Sequence, residues 1–228
     1  MVVETKAKTR KPDAAEKKAR QSLADIAYEE LKYRIITLVY EPGSYLNEAK
    51  LSDDLEIGRT PIHHAVRRLT HEGLIEMIPR KGLIVKAISL QEVSEIIDLR
   101  LVNEVYCAGQ ASERMTPTAE HELEAILKEA EEFAENGDIQ SQIMLDRRFH
   151  DKIAQTAGNQ VLAEVLRNLH ERSMRIWFVS LNNETHADRV RSDHWDILNA
   201  LKSGERAKAE AAMEQHILAF KTNIGKLL

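Results

Sequence analysis

From Leu23 onward apolar residues recur at three- and four-residue steps, Leu23, Ile26, Ala27, Leu31, Ile35 and Leu38, which places them on one face of a helix. Glu41-Pro42-Gly43-Ser44 breaks that pattern. A short second helix is expected after Asn47, with Leu51 and Leu55 facing inward, followed by a tight turn at Ile57-Gly58. Thr60-Pro61 suits the start of a third helix, because the hydroxyl can cap free amides and a proline at the first helical position loses no hydrogen bond. Ile62, Ala65, Val66 and Leu69 share one face of that helix, which leaves His63, His64, Arg67 and Arg68 largely off it. After Gly73 two β-prone runs, Leu74–Ile78 and Leu83–Val85, flank Pro79-Arg80-Lys81-Gly82, so a hairpin with a basic tip is expected. Helix, helix, tight turn, helix and hairpin is the order of a winged helix-turn-helix.

Beyond Ser89 no strand pattern appears, and the chain parses into about six helical segments. They are separated at Met115-Thr116-Pro117, Asn136-Gly137, Gly158-Asn159, Asn182-Asn183 and Ser203-Gly204. The fold class expected is mainly α: an N-terminal winged helix-turn-helix of three helices plus a β-hairpin, then an all-helical antiparallel bundle. The expected division is a disordered basic tail over 1–20, a winged helix-turn-helix DNA-binding domain over 21–87 and an all-helical domain over 91–228. The tail is rich in Lys, Ala and Glu without apolar periodicity, and a basic arm that reaches DNA is its competing reading.

Composition agrees with two modest domains: 228 residues, 43% of them hydrophobic, can bury a core in each. No run of about eighteen uncharged apolar residues exists and the first twenty residues hold no apolar leader, so a soluble, cytoplasmic protein without a membrane partner is expected. The single cysteine, Cys107, excludes an internal disulfide and reads as a small buried hydrophobe. A net charge of −5 conceals an uneven distribution. Residues 1–86 carry 16 basic against 13 acidic side chains, and the remainder 16 against 24, so only the first part is positive.

The N-terminal residues of the second helix of a helix-turn-helix enter the major groove, which singles out Arg59, Thr60, His63 and Arg67. The Arg59 guanidinium can give two hydrogen bonds to guanine O6 and N7, and the Thr60 hydroxyl suits a phosphate. Arg80 and Lys81 at the wing tip suit backbone or minor-groove contact, and Gly82 lets the main chain approach. Pro42-Gly43, Leu51-Ser52, RTPIHHAVRRL from Arg59 and HEGLIEMIPRKGLIVK from His71 resemble the winged helix-turn-helix of the GntR family of bacterial transcription regulators. The resemblance runs from about Ser22 to Lys86 and implies operator contacts for Arg59, Thr60, His63, Arg80, Lys81 and Gly82. The chain departs from the family pattern at His63, where arginine is usual, at His64, where glutamate is common, and at Gly58, where serine or threonine stands.

A second constellation lies in the bundle. Asp146 and His150, four residues apart, share one helix face, and His194 and His216 fall on two later helices beside interior apolar residues. Three histidines and an aspartate on facing helices make a candidate centre for a divalent ion, zinc or nickel above other first-row metals. His121, His170 and His186 have no partner at ligand spacing and read as surface or satisfied residues. IDLRLVNE from Ile97, LDRRFHDKIAQTAGN from Leu145, SDHWDILNALKSGE from Ser192 and AEAAMEQHI from Ala209 resemble the FCD effector-binding domain of the FadR subgroup of that family. This resemblance covers roughly 91–225 and implies a divalent ion on Asp146, His150, His194 and His216.

It also places Arg100 where some members bind an effector carboxylate, against the competing reading of an Arg100–Glu104 pair across one turn. Trp177 either lines the pocket or packs. The expected function is an operator-binding regulator, usually a repressor in this family, modulated by a small carboxylate or hydroxy acid at the metal and acting as a homodimer. Two other readings compete: a metal-dependent hydrolase on the Asp/His site, for which no HExxH-like base is present, and a purely structural metal.

Overall fold

A computed structural model describes residues 22–87, 89–181 and 184–227. The tail over 1–20, expected to be a disordered basic segment, lies outside them. The chain opens with α1 (Leu23–Ile36), β1 (Tyr45–Leu46), α2 (Glu48–Leu55), α3 (Arg59–His71), β2 (Ile75–Ile78) and β3 (Gly82–Val85). Six helices follow: α4 (Leu90–Glu113), α5 (Pro117–Glu135), α6 (Ile139–Thr156), α7 (Gln160–Leu181), α8 (Glu184–Lys202) and α9 (Arg206–Leu227).

Local chemistry sets these limits. Ser22, Asn47, Ser89, Thr116 and Asp138 stand before α1, α2, α4, α5 and α6, and each accepts a hydrogen bond from an otherwise free first-turn amide. Pro117 occupies the opening of α5, where its missing N–H costs nothing. Gly158, at φ 75°, takes the left-handed conformation that lets α6 turn into α7.

The head departs from the sequence reading in three places. A third strand, β1, pairs antiparallel with β3, giving the order β1-β3-β2. Leu23 and Ile26 of α1 face solvent, whereas Tyr28 and Lys32 are buried, so the buried face of α1 is rotated from the one the apolar periodicity marks. The reason is tertiary: Tyr28 and Lys32 are drawn inward by acidic partners on other elements. The turn after α2 is made by Glu56, left-handed at φ 55°, rather than at Ile57-Gly58.

Two hydrophobic clusters result. One gathers Ala27, Leu31 and Ile35 of α1, the inward side of α3 and the sheet residues Ile75, Leu83 and Val85. The other fills the bundle around Ile97, Leu123, Phe149, Ile153, Ile197, Ile217 and Phe220, with α4 against α9, α5 against α6 and α6 against α7. Ile36, at the end of α1, packs into the bundle cluster and not into that of the head. Cys107 is buried, and burial pushes its thiol up to about 12, in keeping with a small unreactive hydrophobe. No described helix is long and apolar enough to cross a membrane.

Candidate functional site

The apolar side of α3 anchors that helix, because Ile62, Ala65, Val66 and Leu69 are all buried in the head cluster. The opposite side is therefore free: Arg59, Thr60, His63 and Arg67 are exposed. The helix begins at Arg59 with Gly58 before it and no side-chain cap, so Thr60 lies inside the first turn and does not cap, contrary to expectation. Uncapped first-turn amides beside exposed Arg59 and Thr60 make this end a natural seat for a phosphate. His63 Nδ1 lies 3.1 Å from Glu48 Oε1 on α2. Arg68 is engaged within the head, with its guanidinium 3.6 Å from the Tyr28 ring centroid and Nη1 donating to Asp25 at 2.8 Å. At the wing, Lys81 N donates to Ile78 O at 3.0 Å, and Arg80 (φ 65°) and Gly82 (φ 93°) complete a tight turn. Arg80, Lys81 and Gly82 are all exposed.

Inside the bundle the structure brings His150 of α6, His194 of α8 and His216 of α9 together, their nearest ring nitrogens within 4.8 Å of one another. Asp146 Oδ1 lies 3.3 Å from His194 Nε2 and 3.9 Å from His150 Nε2. All three histidines are buried. Burial, reinforced by the neighbouring imidazoles, holds His194 well below the usual histidine range; burial also lowers His216, against the pull of Asp193. These two rings are therefore neutral at pH 7, the form that ligates a metal. Asp146 Oδ1, the Nε2 atoms of His150 and His194, and both nitrogens of His216 are buried without a hydrogen-bond partner among the described residues. Each such group costs about 1–3 kcal/mol when left bare. Their convergence fits a divalent cation, and three imidazoles with one carboxylate suit a first-row metal.

Further buried polar side chains surround them. His170 Nε2 lies 2.9 Å from Glu104 Oε1, and His150 Nδ1 approaches Glu104 Oε2 at 2.7 Å, an ion-pair distance off the line of a good hydrogen bond. Arg100 Nε donates to Glu104 Oε1 at 2.5 Å. Burial alone would raise the Glu104 carboxyl, but the charges of Arg100, His170 and His150 outweigh it and hold it well below the usual carboxylate range. Asp193 Oδ2 stands 3.6 Å from His216 Nδ1. Glu104 also groups with His150 and His170 at ligand distance, yet its commitment to Arg100 makes it an outer partner that orients His150. Beside Asp146 and His194 a cavity of about 30 Å³, lined also by Gln142 and Arg191, has room for a water molecule.

The model of the FCD domain matches residues 95–219, more than half of the chain, and that of "Bacterial regulatory proteins, gntR family" matches 23–85. The chain belongs to the GntR family, in its FCD branch. It is a DNA-binding transcription regulator and not an enzyme. It is 26% identical over 200 residues to the transcriptional repressor RspR of Escherichia coli K12, covering 88% of each chain. It is 24% identical over 211 residues to the regulator LutR of Bacillus subtilis, covering 82% of this chain and 93% of that one. Among solved structures, E. coli McbR/YncC superposes with a TM-score of 0.81 at 20% identity over 91% of this chain and 99% of the other. A putative GntR regulator from Rhodococcus sp. RHA1 gives 0.76 at 18% identity, over 90% and 98% of the two chains. These two share the winged-helix and bundle fold.

Within the GntR fold, the residues singled out from sequence fall into two groups, Arg59, Thr60, His63, Arg67, Arg80, Lys81 and Gly82 on the head, and Asp146, His150, His194 and His216 in the FCD bundle. Arg100 is buried and paired with Glu104, the alternative that sequence left open, and its Nη1 makes no hydrogen bond among the described residues. Trp177 packs in the core, its ring 4.2 Å from that of Phe220 and 6.2 Å from His216. His121 is exposed as expected, and the His186 side chain lies outside those described. His170 is the satisfied residue of the two alternatives, buried and hydrogen-bonded within the Glu104 network. The contacts of Glu104 with His170 and His150, and of Asp193 with His216, were not found because they come from helix packing, not from any short spacing along the chain.

Proposed function

We propose that this GntR regulator is a homodimeric repressor whose operator binding responds to a small carboxylate or hydroxy acid held at a divalent metal, zinc or nickel, in the FCD domain. The DNA-binding domain spans 21–87, and the sensing and dimerisation domain spans 91–228. Asp146, His150, His194 and His216 hold the ion, and the observation that carries this reading is the convergence of their buried atoms, which make no hydrogen bond among the described residues. When bound, the ion supplies Lewis acidity with open positions for an oxygen ligand. Arg100 Nη1, which makes no hydrogen bond among the described residues, offers a second anchor for a carboxylate. On the head, Arg59, Thr60, His63 and Arg67 read the major groove, and Arg80, Lys81 and Gly82 meet the backbone or minor groove.

The test is metal analysis of the purified protein with a thermal-shift panel of organic acids, repeated on His194→Ala and His216→Ala. Near-stoichiometric metal and a carboxylate that stabilises the wild type but neither variant is the expected result. Absence of metal together with stabilisation that ignores both histidines would overturn metal-anchored sensing. For the head, Arg59→Ala should weaken binding to a selected operator duplex by about 1–3 kcal/mol while leaving the salt-dependent binding to random DNA nearly intact. Equal loss on both DNAs would remove Arg59 from base readout.

A further inference from the structure

Lys32 is only 2% exposed although it lies on a DNA-binding head, where lysines usually face solvent. Its Nζ donates to Tyr28 Oη at 2.7 Å and lies 3.4 Å from Glu72 Oε2. Tyr28 Oη in turn donates to the Glu72 carboxylate at 2.8 Å. Glu72 is the C-cap residue of α3, so this triad grips the far end of the helix whose other end carries Arg59 and Thr60. The remaining partner of Lys32 comes from the bundle: Glu171 Oε1 of α7 at 2.6 Å. Glu171 also accepts from Arg147 Nη2 of α6 at 2.9 Å. Both bundle residues adjoin the buried cluster in sequence, for His170 precedes Glu171 and faces Glu104, and Asp146 precedes Arg147.

We infer that Glu171 is a positioning residue for the DNA-recognition helix, holding α3 in place relative to the bundle through Lys32 and Glu72. A buried ammonium is stable only with charged partners, and here those partners belong to the two halves of the molecule, so any displacement of α7 changes the surroundings of Lys32. α7 thus carries His170 toward the cluster and Glu171 toward the head on adjacent residues. A ligand that moves α6 or α7 acts on the grip at α3 in proportion to its preference for one arrangement over the other. The inference rests on the reading of α3 as the recognition helix and needs no metal.

The experiment is hydrogen exchange on the full-length protein in chelator, for wild type, Glu171→Gln, Lys32→Met and the double variant. Glu171→Gln keeps the shape of the side chain and should raise exchange at the amides of residues 69–73 by about tenfold, with no further rise when it is added to Lys32→Met. Unchanged exchange at 69–73 in Glu171→Gln overturns the inference. So does an equal increment in both backgrounds, since that would be a bundle effect independent of Lys32. If Glu171→Gln does not fold, Arg147→Gln, which weakens the same carboxylate's anchorage, is read in the same way. A zinc titration of the same wild-type sample separately tests the metal reading, and selection from random duplexes tests the DNA reading.

Discussion

Glu104 serves three neighbours at once, taking Arg100 on one oxygen and facing the imidazoles of His170 and His150. A carboxylate against the outer nitrogen of a ligating histidine fixes its tautomer and orientation, so Glu104→Gln should lower zinc affinity by about tenfold to a hundredfold in competition with a chromophoric chelator. An unchanged affinity would mean that His150 is held by packing alone. At this scale the sequence was informative where function coincides with local spacing. Asp146 and His150 declare themselves by standing one helical turn apart, and α3 shows its reading face because its buried side is so regular. Glu104 and His170 do not, because 66 residues separate them and only the packing of α4 on α7 brings them into contact.

Among the elements, those with their own punctuation were legible: the bundle helices sit between Pro, Gly and Asn breaks, and the hairpin surrounds its basic tip. Strand β1 was not, since two residues leave no alternation to read and only pairing with β3 defines them. The turn between α2 and α3 was misplaced because Glu56, a poor residue for the left-handed region, occupies it at φ 55° and ψ 31°. That choice has a measurable cost. Glu56→Gly should raise stability to chemical denaturation by about 0.5–1 kcal/mol, since glycine adopts this conformation freely and Glu56 is exposed. A loss of stability would show that the Glu56 side chain makes a compensating interaction.

Across the whole molecule, α4 exposes Leu99, Val102 and Tyr106 at helical spacing, with Val102 71% exposed, and Leu218 of the neighbouring α9 is 41% exposed. An apolar stripe on paired helices is the kind of surface that a second copy of the chain covers, consistent with the proposed homodimer. Val102→Asp should shift the sedimenting species from dimer to monomer at micromolar concentration without loss of helicity, and a dimer that survives would place the interface elsewhere. This level was the least legible in sequence, because an exposed leucine and a buried one look alike until neighbours are known.

The join between head and bundle also bears on how such proteins diversify. The two cores are separate, and the links across them among the described residues include Ile36 in the bundle, Tyr33 donating to Gln140, Lys32 with Glu171, Arg175 donating to the main-chain carbonyl of Lys86, and Lys86 with Glu92. A main-chain carbonyl is available whatever the residue, so the side-chain identity that matters at the boundary is confined to a handful of positions. Recombination that places a new sensor behind this reading head, or a new head before this sensor, would have to preserve or replace those side-chain pairs.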